Sequence, residues 1–161
     1  MPTTYEPIAT TTLGSNTATV NFTGISQAYT DIILVIDSTS TTSAGIYIQV
    51  GDASIDTGTN YSFTYLQGNG TTASSGRSST QASIYCSDQS STSRQTTIIQ
   101  FQNYSNSTTN KTILSRGSSA SQSVGAVVGL WRSTSLISKI RLVNGNFATG
   151  STFTLYGIKA A

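Results

Sequence analysis

The chain has 161 residues, 36% of them hydrophobic, so it can bury one substantial core; only 9% are charged, against about 25% in an ordinary soluble domain. Disorder needs low hydrophobicity with high net charge, and the chain has neither. Eight basic residues against six acids leave a net charge of +2, and the basic residues are scattered from Arg77 to Lys159 without a run or stripe, which argues against nucleic acid as a partner.

Ser and Thr make up about a third of the chain and glycine contributes 14 residues, a composition that reads as many strands joined by turns. Both prolines stand in the first seven residues. Proline removes a ladder donor, so Met1–Pro7 is expected as an extended arm or edge, with residues 8–161 forming one domain. Met1–Pro7 has no basic region followed by an apolar one, so no export signal is expected and synthesis is placed in the cytoplasm. No window approaches the roughly 18 apolar residues of a membrane span, so no membrane partner is expected either.

Strand candidates follow in order. Ile8–Leu13 is short and Thr-rich, and Gly14-Ser15-Asn16 turns it into Thr17–Thr23, where Ala18, Val20 and Phe22 share a face. Thr30–Asp37 is a continuous apolar run, the signature of a central strand covered on both faces. Gly45–Val50 alternates Ile46, Ile48 and Val50 against Tyr47 and Gln49. In Tyr61–Leu66, Tyr61, Phe63 and Tyr65 share one side, and Gly68-Asn69-Gly70 stops the run. Thr71–Thr80 is so rich in Ser and Thr that an exposed loop is expected. Ser83–Cys86, Thr96–Gln102 and Thr112–Ser115 are further strands, and Ser123–Trp131 sets Val124, Ala126, Val128 and Leu130 on one face. Leu136–Val143 and Ser151–Ile158, joined by the turn-rich Asn144–Gly150, read as a terminal β-hairpin. No segment has a helical period. The expectation is an all-β, antiparallel, jelly-roll-like β-sandwich of about ten short strands with essentially no helix.

Catalytic constellations are limited by the absence of histidine, which removes Ser-His-Asp triads, His-based zinc sites and imidazole bases. No catalytic residue, metal or cofactor is assigned. Asp52 and Asp56 form a close acid pair that in principle suits glycoside hydrolysis or calcium, yet they share one Gly/Thr-rich loop and read first as turn residues. The single cysteine, Cys86, reads as a small buried strand residue. Six Asn-x-Ser/Thr triplets, at Asn21, Asn60, Asn69, Asn103, Asn106 and Asn110, are what chance gives at this Ser and Thr content. Trp131, Tyr61, Tyr65 and Tyr104 stand near loop boundaries, where they either cap the core or grip sugars and protein partners. A low-charge sandwich with little to protect its sheet edges is expected to have them covered by another copy of itself or by a partner, which favours a homo-oligomeric structural role.

Several stretches resemble a recurrent module of tailed-phage virion proteins, of the marine and cyanobacterial phage type. They are Tyr5–Thr12, Phe22–Asp31, Thr57–Ser62, Leu66–Gly70, Asn103–Asn106, Thr109–Thr112 through Ser115-Arg116, Gly129–Thr134 and, most specific, the final Gly150–Ala161, GSTFTLYGIKAA. The resemblance implies a non-enzymatic virion component. It leaves the place on the particle open; with one domain and no shaft, the chain is expected to be a capsid decoration or cement protein on the head lattice, a homotrimer bound to the major capsid protein through an arm that includes Tyr5, Glu6 and Pro7. The alternative it leaves open is a tail-fibre or head-fibre module that binds host surface glycan through loop aromatics such as Trp131.

Overall fold

The computed structural model describes residues 4–119 and 122–159. The described residues form twelve strands: β1 (Tyr5–Thr12), β2 (Thr17–Thr23), β3 (Asp31–Ser38), β4 (Ala44–Gly51), β5 (Tyr61–Gly68), β6 (Ala73–Gln81), β7 (Ile84–Gln89), β8 (Gln95–Phe101), β9 (Lys111–Ser118), β10 (Val124–Trp131), β11 (Lys139–Phe147) and β12 (Thr152–Ile158). Every paired neighbour is antiparallel. The strands lie in two sheets, one of eight in the order β1-β12-β3-β8-β9-β10-β5-β6, the other of four in the order β2-β11-β4-β7.

Setting aside the pairs β5–β6 and β9–β10 leaves two four-stranded sheets, β1-β12-β3-β8 over β2-β11-β4-β7. That alternation of successive strands between layers is the double Greek key of a jelly roll. The two hairpins are insertions, and both extend the same sheet from its β8 edge. The sandwich expected from the sequence is therefore present, with a sheet twice as wide on one side as on the other.

Period-two side-chain placement builds the core. Val20 and Phe22, Ile46 and Ile48, and Ile140 and Leu142 point inward from the narrow sheet, and Ile32, Leu34, Ile36, Ile99, Phe101, Phe153 and Leu155 meet them from the wide one. Phe147 and Phe153 cross edge to face at 5.0 Å. Strand β7 comes close to the wide sheet because its facing strands carry glycine: a Cβ on Gly129 would stand 2.5 Å from Ile84, and one on Gly117 2.4 Å from Ser87. One end of the core is polar. Ser40 Oγ donates to Asn144 Oδ1 at 2.9 Å, Asn144 Nδ2 donates to Gln89, and Gln89 Nε2 donates to Ser38, all four residues being buried.

Four expectations change. The terminal hairpin is absent: β11 and β12 lie in opposite sheets, residues 144–147 belong to β11 across an irregularity in its pairing, and residues 148–151 pass between the layers. Alternating faces alone could not separate the two cases, because a corner strand and a hairpin strand bury the same residues. Thr71–Thr80 is largely strand β6, paired to β5 from Gly68↔Ala73 to Phe63↔Ser78. It was hidden because it is an edge strand exposed on most of its length, with no buried row to impose alternation. The boundary after Pro7 falls inside β1, so Tyr5–Pro7 belong to the sheet; Met1 to Thr3 lie outside the described residues. Finally, β3 is central, yet only one of its faces is covered: Ile33 and Val35 are half-buried on the outer side of the wide sheet.

Candidate functional site

Tyr5, Glu6 and Pro7 start the edge strand β1, with Pro7 opposite Tyr156 and a bulge immediately after it. Proline and bulge together blunt this edge against pairing with another strand. Glu6 Oε1 meets Lys159 Nζ at 2.8 Å, and Tyr29 Oη donates to Glu6 Oε2 at 3.3 Å. The bond from Lys159 holds the Glu6 carboxyl below its ordinary value. Tyr5 is exposed, while Glu6 is engaged in closing the sheet edge on Lys159 and the loop bearing Tyr29.

Trp131 stands at the end of β10, and four strands separate β10 from β1. At about 4.8 Å per strand this is roughly 24 Å, so the residues expected to meet a partner do not form one site. Trp131 is 3% exposed and stacks on the buried Tyr61 at 6.5 Å. It offers no open ring face to a sugar and caps the end of the core, the first of the two readings that its place near a loop boundary allowed. Its indole Nε1–H donates to Asp56 Oδ2 at 2.8 Å. Asn60 Nδ2 donates to the same oxygen at 2.9 Å and the Gly58 amide to Oδ1 at 2.8 Å. Burial pushes the Asp56 carboxyl up, but these three donors outweigh it and hold the group below its ordinary value. Asp52 accepts from Ser138 Oγ at 2.8 Å. The acid pair is thus spent on ordering its own loop against β10 and β11.

Tyr104 is buried, and its hydroxyl donates to the Ser26 carbonyl. The buried Lys111 Nζ donates to the carbonyls of Thr109 and Thr134 at 2.8 and 3.2 Å, and burial lowers its pKa. Cys86 is buried in β7, where burial pushes the thiol well up.

The surface that stands out lies on the outer side of the wide sheet. Register carries one row from Tyr156 through Ile33, Gln100, Leu114 and Val128 to Thr64. A second runs from Thr154 through Val35, Ile98, Arg116 and Ala126 to Leu66. Leu66 and Val124 are 65% exposed and Val128 53%. The face of Ser123–Trp131 that the sequence marked as apolar is this one; β10 turns Val127, Gly129 and Trp131 inward instead. Arg116 is the cation inside the patch. At the ends of β3, Asp37 is paired with Arg94 at 2.8 Å and Asp31 accepts from the Asn103 amide at 2.8 Å. Antiparallel sheets that face water ordinarily show polar residues there, whereas this outer face carries aliphatic side chains on five adjacent strands. At its middle is an open depression of about 260 Å³ between Ile33, Ile98, Leu114 and Val128.

No protein-family model matches the chain, and no curated protein matches it.

Proposed function

We propose that the chain is a non-enzymatic structural component of a tailed-phage virion, a capsid decoration or cement protein that works as a homotrimer. The observation that carries this reading is the aliphatic outer face of the wide sheet, where β3, β8, β9, β10 and β5 line up Ile33, Ile98, Leu114, Val128 and Leu66 around one arginine. A strand as continuously apolar as Asp31–Ser38 is made for two covered faces, and the second cover comes from another copy of the chain. The Ser- and Thr-rich remainder carries few long charged side chains, so packing against neighbours immobilises little side-chain entropy. The resemblance of Tyr5–Thr12, Gly129–Thr134 and Gly150–Ala161 to virion modules supplies the setting.

The test is the amount of this protein in purified particles, measured by quantitative mass spectrometry against the major capsid protein. A ratio of one copy per capsid subunit, or a simple fraction of it, is the expected result. A handful of copies per particle contradicts the cement role and moves the chain to an appendage; absence contradicts the virion reading. Deleting residues 1–7 to remove a tether is a poor test, because it also removes the first three residues of β1.

A further inference from the structure

The narrow sheet stops short of the wide one. Its edge strand β7 packs on β8, β9, β10 and the near side of β5, and the inner face of the β5–β6 hairpin continues beyond it as a ledge. Aromatic rings gather where the two meet. The Tyr85 ring lies 5.7 Å from Tyr47, 5.9 Å from Phe63 and 6.0 Å from Tyr65, at 63°, 41° and 67°. Tyr47 comes from the outer face of β4, Phe63 and Tyr65 from the inner face of β5, so Tyr85 bridges the two sheets around the β7 edge.

Two glycines let the outer rings lie down. A Cβ on Gly45 would be 2.8 Å from the Tyr47 ring, and one on Gly76, opposite Tyr65 in the ladder, would be 2.6 Å from the Tyr65 hydroxyl. The rings, with Gln67 and Asp88, line an open groove of about 280 Å³. Asp88 is fixed there, since Ser123 Oγ donates to its Oδ2 at 2.9 Å. This volume is just under the roughly 300–1,000 Å³ of pockets for drug-sized molecules, and the groove is open at its side.

A pyranose ring has this chemistry in mirror image: a face of C–H groups that packs on aromatic rings and a rim of hydroxyls that seek carboxylate and amide partners. Among the described residues Asp88 is the only charged side chain lining the groove, and Arg77 sits across the ladder from Thr64, whose side chain faces the opposite side of the sheet. Acidic sugars and phosphates are therefore disfavoured. We propose that the ledge binds a neutral hexopyranose unit of a glycan, stacked on Tyr47, Tyr65 and Tyr85, with Asp88 and Gln67 taking its hydroxyls. The inference is independent of the assembly reading, because the ledge is on the inner side of the hairpin whose outer side carries Leu66.

Saturation-transfer NMR on the full chain tests it, with maltotriose, cellotriose, mannotriose and lactose as probes and glucuronic acid as the charged control. Transfer to at least one neutral oligosaccharide is expected. Titration should then give an affinity that falls about two- to tenfold in Tyr47→Ala. Asp88→Asn should also weaken it, keeping the side chain's shape while replacing the charged carboxylate acceptor with a neutral amide. Tyr47 is 37% exposed, so its variant is expected to melt with the parent chain, which separates lost binding from lost fold. No transfer to any neutral probe, transfer unchanged in both variants, or equal transfer to glucuronic acid overturns the assignment.

Discussion

Asp56 fastens the end of the sandwich with three bonds, of which the Trp131 indole supplies the longest-range one. Trp131→Phe keeps most of the stacking on Tyr61 and removes that donor, so a loss of about 1 kcal/mol in urea unfolding is expected. Trp131→Ala opens a cavity beside Tyr61 and should cost about 3–5 kcal/mol. Because the folded Asp56 carboxyl titrates below its ordinary 3.8, its contribution is fully present above that value. It is lost as pH falls through the lower folded pKa. A melt series from pH 6 down to pH 2 should therefore show a fall at the acid end that Asp56→Asn reduces; an identical acid profile in the variant would count against the three-bond description. Cys86 gives a second check at this scale. Buried, and with its thiol pushed up, it should resist a thiol reagent in the folded protein and react once urea unfolds the chain.

At the scale of the element, glycine on the inner faces of β9 and β10 decides how near β7 can come. Gly129→Ala puts a methyl 2.5 Å from Ile84, inside a packed layer with little room to give, and should destabilise by about 1–3 kcal/mol. Gly14→Ala, with nothing within 4 Å of its new Cβ, should stay within about 0.5 kcal/mol. Equal effects would mean that the close approach of β7 is not a packing constraint. The elements also show what a sequence carries. Strands such as Thr17–Thr23 and Gly45–Val50 were legible because one face is buried and alternation is enforced. Strand β6 was not, since Arg77, its Ser/Thr neighbours and Gln81 satisfy a ladder without burying anything. For Ser123–Trp131 the alternation was legible but not its sense: nothing local says whether Val124, Ala126 and Val128 meet the chain's own core or another molecule. Trp131 and Asp56 are adjacent only through the β4–β5 connection, a contact 75 residues long in sequence. Nor is the ledge a local pattern, since it draws Tyr47, Tyr65 and Tyr85 from three strands in two sheets.

The whole molecule is a jelly roll with two added hairpins, and the additions carry the surfaces of interest. Without β9–β10 and β5–β6 the two sheets would match in width, there would be no ledge, and Leu114, Val128 and Leu66 would not exist as an outer face. Placing Val128 and Leu114 beside Ile33 and Ile98 makes one patch from the inserted hairpins and the core strands, so a single lysine in it should disturb the whole contact. Val128→Lys is suited to this: the side chain is 53% exposed, and the variant should melt within about 0.5 kcal/mol of the parent when both are compared as monomers.

Sedimentation equilibrium of the full chain beside Val128→Lys tests the central claim most directly. The outer face, if it is the assembly surface, predicts a species of three times the 16.9 kDa chain mass for the parent protein and a monomer for the variant. A parent chain that stays monomeric at tens of micromolar, or a variant that assembles as the parent does, would contradict it.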